Sequence, residues 1–169
     1  VSAGPLEVTP TPAPLGASPG RAPMRRLTRH ELENTLADLS GVSGVASATL
    51  PPEPETAGFD NHVDTQDPSP SFVEALLLSA EKISASVDLD ALFSCDSALE
   101  GELVCAELFV TEVGRKAFRR PLSEEQVARF SELSESALAA WGYEEALRVV
   151  LSAMLMSPHF VYRDRKSTR

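Results

Sequence analysis

The chain has 169 residues, 43% of them hydrophobic, enough for one ordinary domain or two small ones with a packed core. Aromatics reach only 6%, and alanine and leucine dominate the apolar set, a balance that favours helix packing over a β-sandwich. A formal charge of −10 and a pI near 4.7 repel phosphate backbones and anionic lipid, which argues against nucleic-acid binding and membrane adhesion.

No apolar run approaches the ~20 residues that a transmembrane helix needs. The first residues, Val1-Ser2-Ala3-Gly4, contain neither an initiator methionine nor a signal peptide, so processing or excision upstream is expected. Residues 166–169 complete no element and read as a non-native tail. Residues 1–23 hold Pro5, Pro10, Pro12, Pro14, Pro19 and Pro23 among small residues, without apolar periodicity. They are expected to form an extended, disordered linker.

Thr28-Arg29-His30-Glu31 is a capping box that opens the first helix, with Leu27 placed to staple onto Leu32. Leu32, Leu36 and Leu39 form one face, and Gly41 supplies the stop. Residues 42–68 are expected to be loop, since Pro51, Pro52 and Pro54 forbid regular structure and Gly58-Phe59-Asp60-Asn61-His62 resembles a turn. Ser69 and Pro70 start a second helix, because proline is tolerated in the first turn; Phe72, Leu76, Ala80, Ile83 and Val87 form its core face. Residues 88–98 are expected to be loop with a short helical turn.

A third helix over residues 102–119 is expected to bury Leu103, Ala106, Val110, Val113 and Ala117. Gly114 within it costs roughly 1 kcal/mol relative to alanine, which a close helix crossing would explain. Pro121 ends that helix, and Ser123-Glu124-Glu125-Gln126 is a second capping box with Leu122 and Val127 as its staple. Helix four carries Val127, Phe130, Leu133 and Ala137 and closes at Gly142. Helix five packs through Leu147, Val150, Leu151, Met154 and Leu155, and Pro158 stops it. Short connections at 119–123 and 142–143 make these helices antiparallel neighbours. The expected fold is all-α: a small bundle of about five helices behind a disordered Pro-rich leader. Its parts are a linker at 1–23, a helical module at 24–92, a three-helix module at 93–165 and the tail; the two modules are free to share one core.

Cys95 and Cys105 are the only cysteines, so they form either one disulfide or two buried free thiols. The spacing fits neither a redox pair nor haem attachment. Asp60, Asn61 and Asp64, with Asp67, gather oxygen donors suited to calcium. The helix-loop-helix calcium pattern is not met, because His62 takes the third position and the required glycine and glutamate are missing. Asp and Asn in loops also bond their own backbone. Arg115, Arg119 and Arg120 lie at the end of the third helix, where the carbonyl end of the dipole favours cations; their guanidiniums are also candidates for binding an anion or a partner. His30 lies in a first helical turn, and His159 is placed to cap carbonyls after Pro158. No nucleophile, base and oxyanion donor assemble in any known pattern, so no catalytic residue is assigned.

Met24-Arg25-Arg26-Leu27-Thr28-Arg29-His30-Glu31-Leu32-Glu33-Asn34-Thr35-Leu36-Ala37-Asp38-Leu39 resembles the opening of the planctomycete secreted-domain family. Leu50-Pro51-Pro52 and Gly58-Phe59-Asp60-Asn61 match its next signature. A second module of the family is matched by Gly114-Arg115-Lys116-Ala117-Phe118-Arg119-Arg120-Pro121-Leu122-Ser123 and closes with Leu155-Met156-Ser157-Pro158-His159-Phe160-Val161-Tyr162-Arg163. The resemblance spans about residues 24–165. His62 departs from it, since the family more often has asparagine there.

The resemblance implies export, with a lipoprotein anchor upstream, and export favours the Cys95–Cys105 disulfide. It also implies further domains of the same polypeptide as partners, among them c-type cytochrome modules carrying haem, a cofactor this segment has no motif to attach. The expected function is a non-catalytic helical assembly module of a larger periplasmic or cell-surface protein. The alternative is part of an extracellular enzyme, with polysaccharide as a candidate substrate, whose chemistry lies in domains beyond this segment.

Overall fold

The computed structural model describes residues 24–53 and 68–163. The leader at 1–23, the calcium candidates Asp60, Asn61 and Asp64, and the tail lie outside the described residues. The elements are β1 (Arg25–Arg26), α1 (Arg29–Ser40), α2 (Val45–Thr49), α3 (Pro70–Ser86), α4 (Leu89–Leu92), α5 (Ser97–Glu100), α6 (Glu102–Phe118), α7 (Glu124–Trp141), α8 (Tyr143–Leu155), α9 (Pro158–Val161) and β2 (Tyr162–Arg163). The fold is all-α, with one two-residue ladder.

Helix α8 is the hub. It packs on α3, α6, α7 and α9, and Ala146, Leu147, Val150, Leu151, Met154 and Leu155 are all buried. Helix α3 brings Phe72, Leu76, Ala80 and Ile83 to it, and the expected apolar face is buried along its length. Helices α6, α7 and α8 follow one another through tight connections as packed neighbours. One cluster of buried residues runs from Leu27 to Val161 without a break between the early and late helices. A shared core of this kind couples the unfolding of its parts.

Both capping boxes form. Thr28 Oγ1 accepts from the Glu31 N–H at 3.2 Å while Glu31 Oε2 accepts from the Thr28 N–H at 2.9 Å. Ser123 and Gln126 exchange the same pair at 3.3 and 3.0 Å. Gly41 ends α1 at φ 72°, a left-handed cap that glycine adopts without strain. At Gly114 a Cβ would lie 2.8 Å from Leu122 Cδ1 and 3.2 Å from Met154 Cε, so the absence of a side chain permits α6 to approach α8 and the following turn.

Three expectations need correction. The stretch read as loop from residue 42 contains α2, because the Glu33 carboxylate of α1 accepts from the N–H groups of Gly44 and Ser47 and so caps α2 from another element. Leu103 falls on the α6 core stripe by spacing yet is 45% exposed in the first turn, and fully buried Phe109, absent from the expected face, belongs to the core. On α7 the expected face is borne out, with Ala137 buried and Val127, Phe130 and Leu133 packed half-covered against the core. Pro158 does not simply stop a helix: it is the first residue of α9, whose cap is Ser157.

Helix α9 then delivers β2 to β1. Arg25 pairs with Arg163 and Arg26 with Tyr162 in antiparallel register, and the Leu27 N–H donates to the Val161 carbonyl at 2.8 Å. Buried Arg26 anchors this junction. Its Nη2 donates to Glu53 Oε2 at 2.7 Å, and its guanidinium lies 3.9 Å from the Phe72 ring centroid. A buried cation requires such a partner, because leaving it unpaired costs several kcal/mol, on the order of 3–5.

Candidate functional site

The cysteines are bonded to each other, with Cα atoms 5.7 Å apart. The bridge ties α6 to the segment that follows α4, and Cys105 is fully buried. Closing a loop of this length restricts the unfolded chain by about 2–3 kcal/mol. Its position in the core marks it as a structural brace.

The three arginines part company. Arg115 remains exposed on the outer side of α6. Arg119 takes a left-handed conformation, φ 58°, which carries it out of register with Arg115. Its Nη2 donates to the Phe160 carbonyl at 2.7 Å, and burial first, then the charge of Arg163, lowers its pKa. Arg120 turns the other way and donates to the Pro121 carbonyl at 2.8 Å and Gln126 Oε1 at 3.1 Å. Its Nη2 also stands 3.3 Å from His159 Nδ1. Arginine only donates, so Nδ1 accepts and the imidazole proton sits on Nε2. His159 therefore binds Arg120 with its ring and packs 5.6 Å from the Phe118 ring, in place of capping carbonyls. Burial, then Arg120, lowers its pKa.

Among the described residues, no group of three or more His, Cys, Asp or Glu side chains could hold a metal ion. A cleft of about 650 Å³ lies between α1 and the ends of α6 and β2. Its α1 wall presents Glu31, Asn34, Thr35, Asp38 and Leu39; the other side presents Lys116, Arg119 and Arg163, with Leu92 and Phe160 beneath. The capping box positions Glu31, whose carboxylate takes two bonds from Arg25 at 2.6 and 2.8 Å. The Arg25 bond is the largest cause of its lowered pKa, outweighing burial. Lys116 Nζ donates to the Leu92 carbonyl at 3.3 Å. The cleft is thus cationic on one side, and its nearer carboxylate is already neutralised.

Of the cleft's cations, the arginine triplet in the sequence pointed only to Arg119. Lys116 and Arg163 carried a detectable signal, since both fall inside the two segments quoted for the second family module, but no local spacing relates them to α1.

Residues 25–88 match the family model PSD3, described as a protein of unknown function (DUF1587), and residues 105–164 match PSD5, likewise described as a protein of unknown function (DUF1595). No match was found among curated proteins or among solved structures. The cleft therefore lies where the two matched segments meet. The chain carries two planctomycete secreted domains, PSD3 followed by PSD5, fused through one core.

Proposed function

We propose that this chain is a non-catalytic assembly module of a larger exported protein, one that docks and positions neighbouring domains of the same polypeptide. The observation that carries this reading is a pair of exposed apolar helix rows. Val73 and Leu77, one turn apart on α3, are 46% and 43% exposed, with Leu78 beside them. Val104 and Leu108 repeat the spacing on α6, flanked by Leu103 and by Leu99, which is 83% exposed. Apolar rows of this kind mark contact surfaces, because water contact with them is unfavourable. Glu31, Lys116, Arg119 and Arg120 each make at least one hydrogen bond to a neighbouring segment, a structural use of charged groups that agrees with this reading.

Export agrees with the secreted-domain family and with a disulfide, which persists in oxidising compartments. No helix among the described residues is long and apolar enough to cross a membrane. A lipoprotein anchor upstream would hold the chain at the cell surface, and cytochrome modules are the neighbours expected from the family.

Hydrogen exchange of the isolated chain, compared with the complete polypeptide, tests the proposal. Slower exchange over residues 73–78 or 103–108 in the complete protein is expected. Identical exchange in both, with the other domains tumbling independently, would overturn it.

A further inference from the structure

We propose that the cleft between the PSD3 and PSD5 segments binds a small organic oxyanion, with its charged group on Lys116, Arg119 and Arg163 and its body against Leu39 and Leu92. This goes beyond domain positioning and does not depend on it.

Three cations from the second segment line one concavity of a protein whose formal charge is −10, so the local excess runs against the overall surface. Arg119 and Lys116 are each held by one backbone carbonyl, Phe160 at 2.7 Å and Leu92 at 3.3 Å. An arginine has five N–H donors and a lysine three, so both are oriented while most of their donors remain for a ligand. The Arg163 side chain makes no hydrogen bond or ion pair among the described residues; its charge bears favourably on Glu31 and unfavourably on Arg119. An oxyanion between the two guanidiniums removes that repulsion and fits their planar forks.

The rest of the lining limits the ligand. Leu39, Leu92 and Ala117 offer an apolar floor, which suits an organic body better than a bare ion. Asn34 and Asp38 on α1 face the same space. Asp38 disfavours a second negative charge and accepts from a hydroxyl or amide, so the ligand is a monoanion with a polar substituent. Carboxylates, sulfate monoesters and phosphate diesters share this chemistry.

The test is a titration of the whole chain with benzoate, acetate, sulfate and phosphate, followed by backbone amide NMR at ionic strength held constant with chloride. Benzoate is expected to saturate shifts around Asn34, Lys116 and Phe160 and to bind about tenfold tighter than acetate, since its ring covers the apolar floor. Arg163→Gln and Lys116→Gln should each weaken binding about tenfold, and Asp38→Asn should tighten it. Saturable sulfate or phosphate binding tighter than benzoate, equally lost in Arg163→Gln, supports the same site and names an ester as its ligand. Shifts that follow chloride alone, or affinity unchanged in both charge-removing variants, would overturn the proposal.

Discussion

Arg148 on α8 donates from Nη1 to the carbonyl of Ser84, 2.5 Å away in the last turn of α3, and also reaches the Val87 carbonyl at 3.3 Å. A cation from one matched segment thus closes the carbonyl end of a helix in the other, where the helix dipole favours it. Arg148→Met keeps the apolar stem and removes both bonds. The expected cost is about 2 kcal/mol in urea unfolding, with faster exchange at the end of α3. Unchanged stability would show that water replaces the guanidinium without loss.

Gly114→Ala should destabilise by about 1 kcal/mol, since crowding of Leu122 and Met154 exceeds the gain in helix propensity. In a Leu122→Ala background the two closest methyl groups are gone and only the flexible end of Met154, 3.2 Å away, must give, so there the same change should cost much less. A loss of equal size in both backgrounds would place the constraint on the backbone of α6.

Glu31 and Glu33 both have lowered pKa values. For Glu31 the bond from Arg25 leads; for Glu33 burial opposes the shift, and backbone bonds from Ser47 and Gly44 overcome it. A depressed carboxyl pKa contributes stability that is complete above the unfolded value near 4.5 and is lost as pH falls through the folded value. Melting temperature should therefore drop steeply below that point. Glu31→Gln should be less stable at pH 7 and should flatten the acid slope; a slope identical to the parent protein would remove Glu31 from the explanation.

His159 should titrate below the ordinary histidine value of 6.5 in ring-proton NMR. Its neutral form is the folded one, so its contribution to stability is present above 6.5 and lost as pH falls through the lowered pKa. Arg120→Gln should raise the value partway, because burial, the larger cause, remains. An unchanged titration in that variant would separate the two side chains.

What the sequence made legible was local. Thr28 with Glu31 and Ser123 with Gln126 act within one turn, so each capping box is written in adjacent letters. The α3 and α8 faces repeat at helical spacing and are buried as read. The cap of α2 comes from Glu33, eleven residues before Gly44, and no local pattern announces it. Arg119 takes a left-handed turn and bonds Phe160, forty-one residues on, while Arg115 stays exposed and Arg120 meets Gln126 and His159, so the arginine triplet that looked like one patch is dispersed. The two-residue strands are too short for any periodicity, and Arg25 and Arg163 meet only when the helices between them have packed. The candidate cleft was hidden for the same reason, since its walls belong to segments that the chain keeps far apart.

The pairing of Arg25 with Arg163 also sets where the described body begins and ends. The strands run antiparallel, so the chain arrives and departs at the same edge, side by side. The two ends of the described helical body are therefore neighbours, Arg25 beside Arg163. Such geometry lets the unit be spliced into or lifted out of a host chain with little disturbance, and a short peptide linking 163 back to 25 should yield a functional circular permutant.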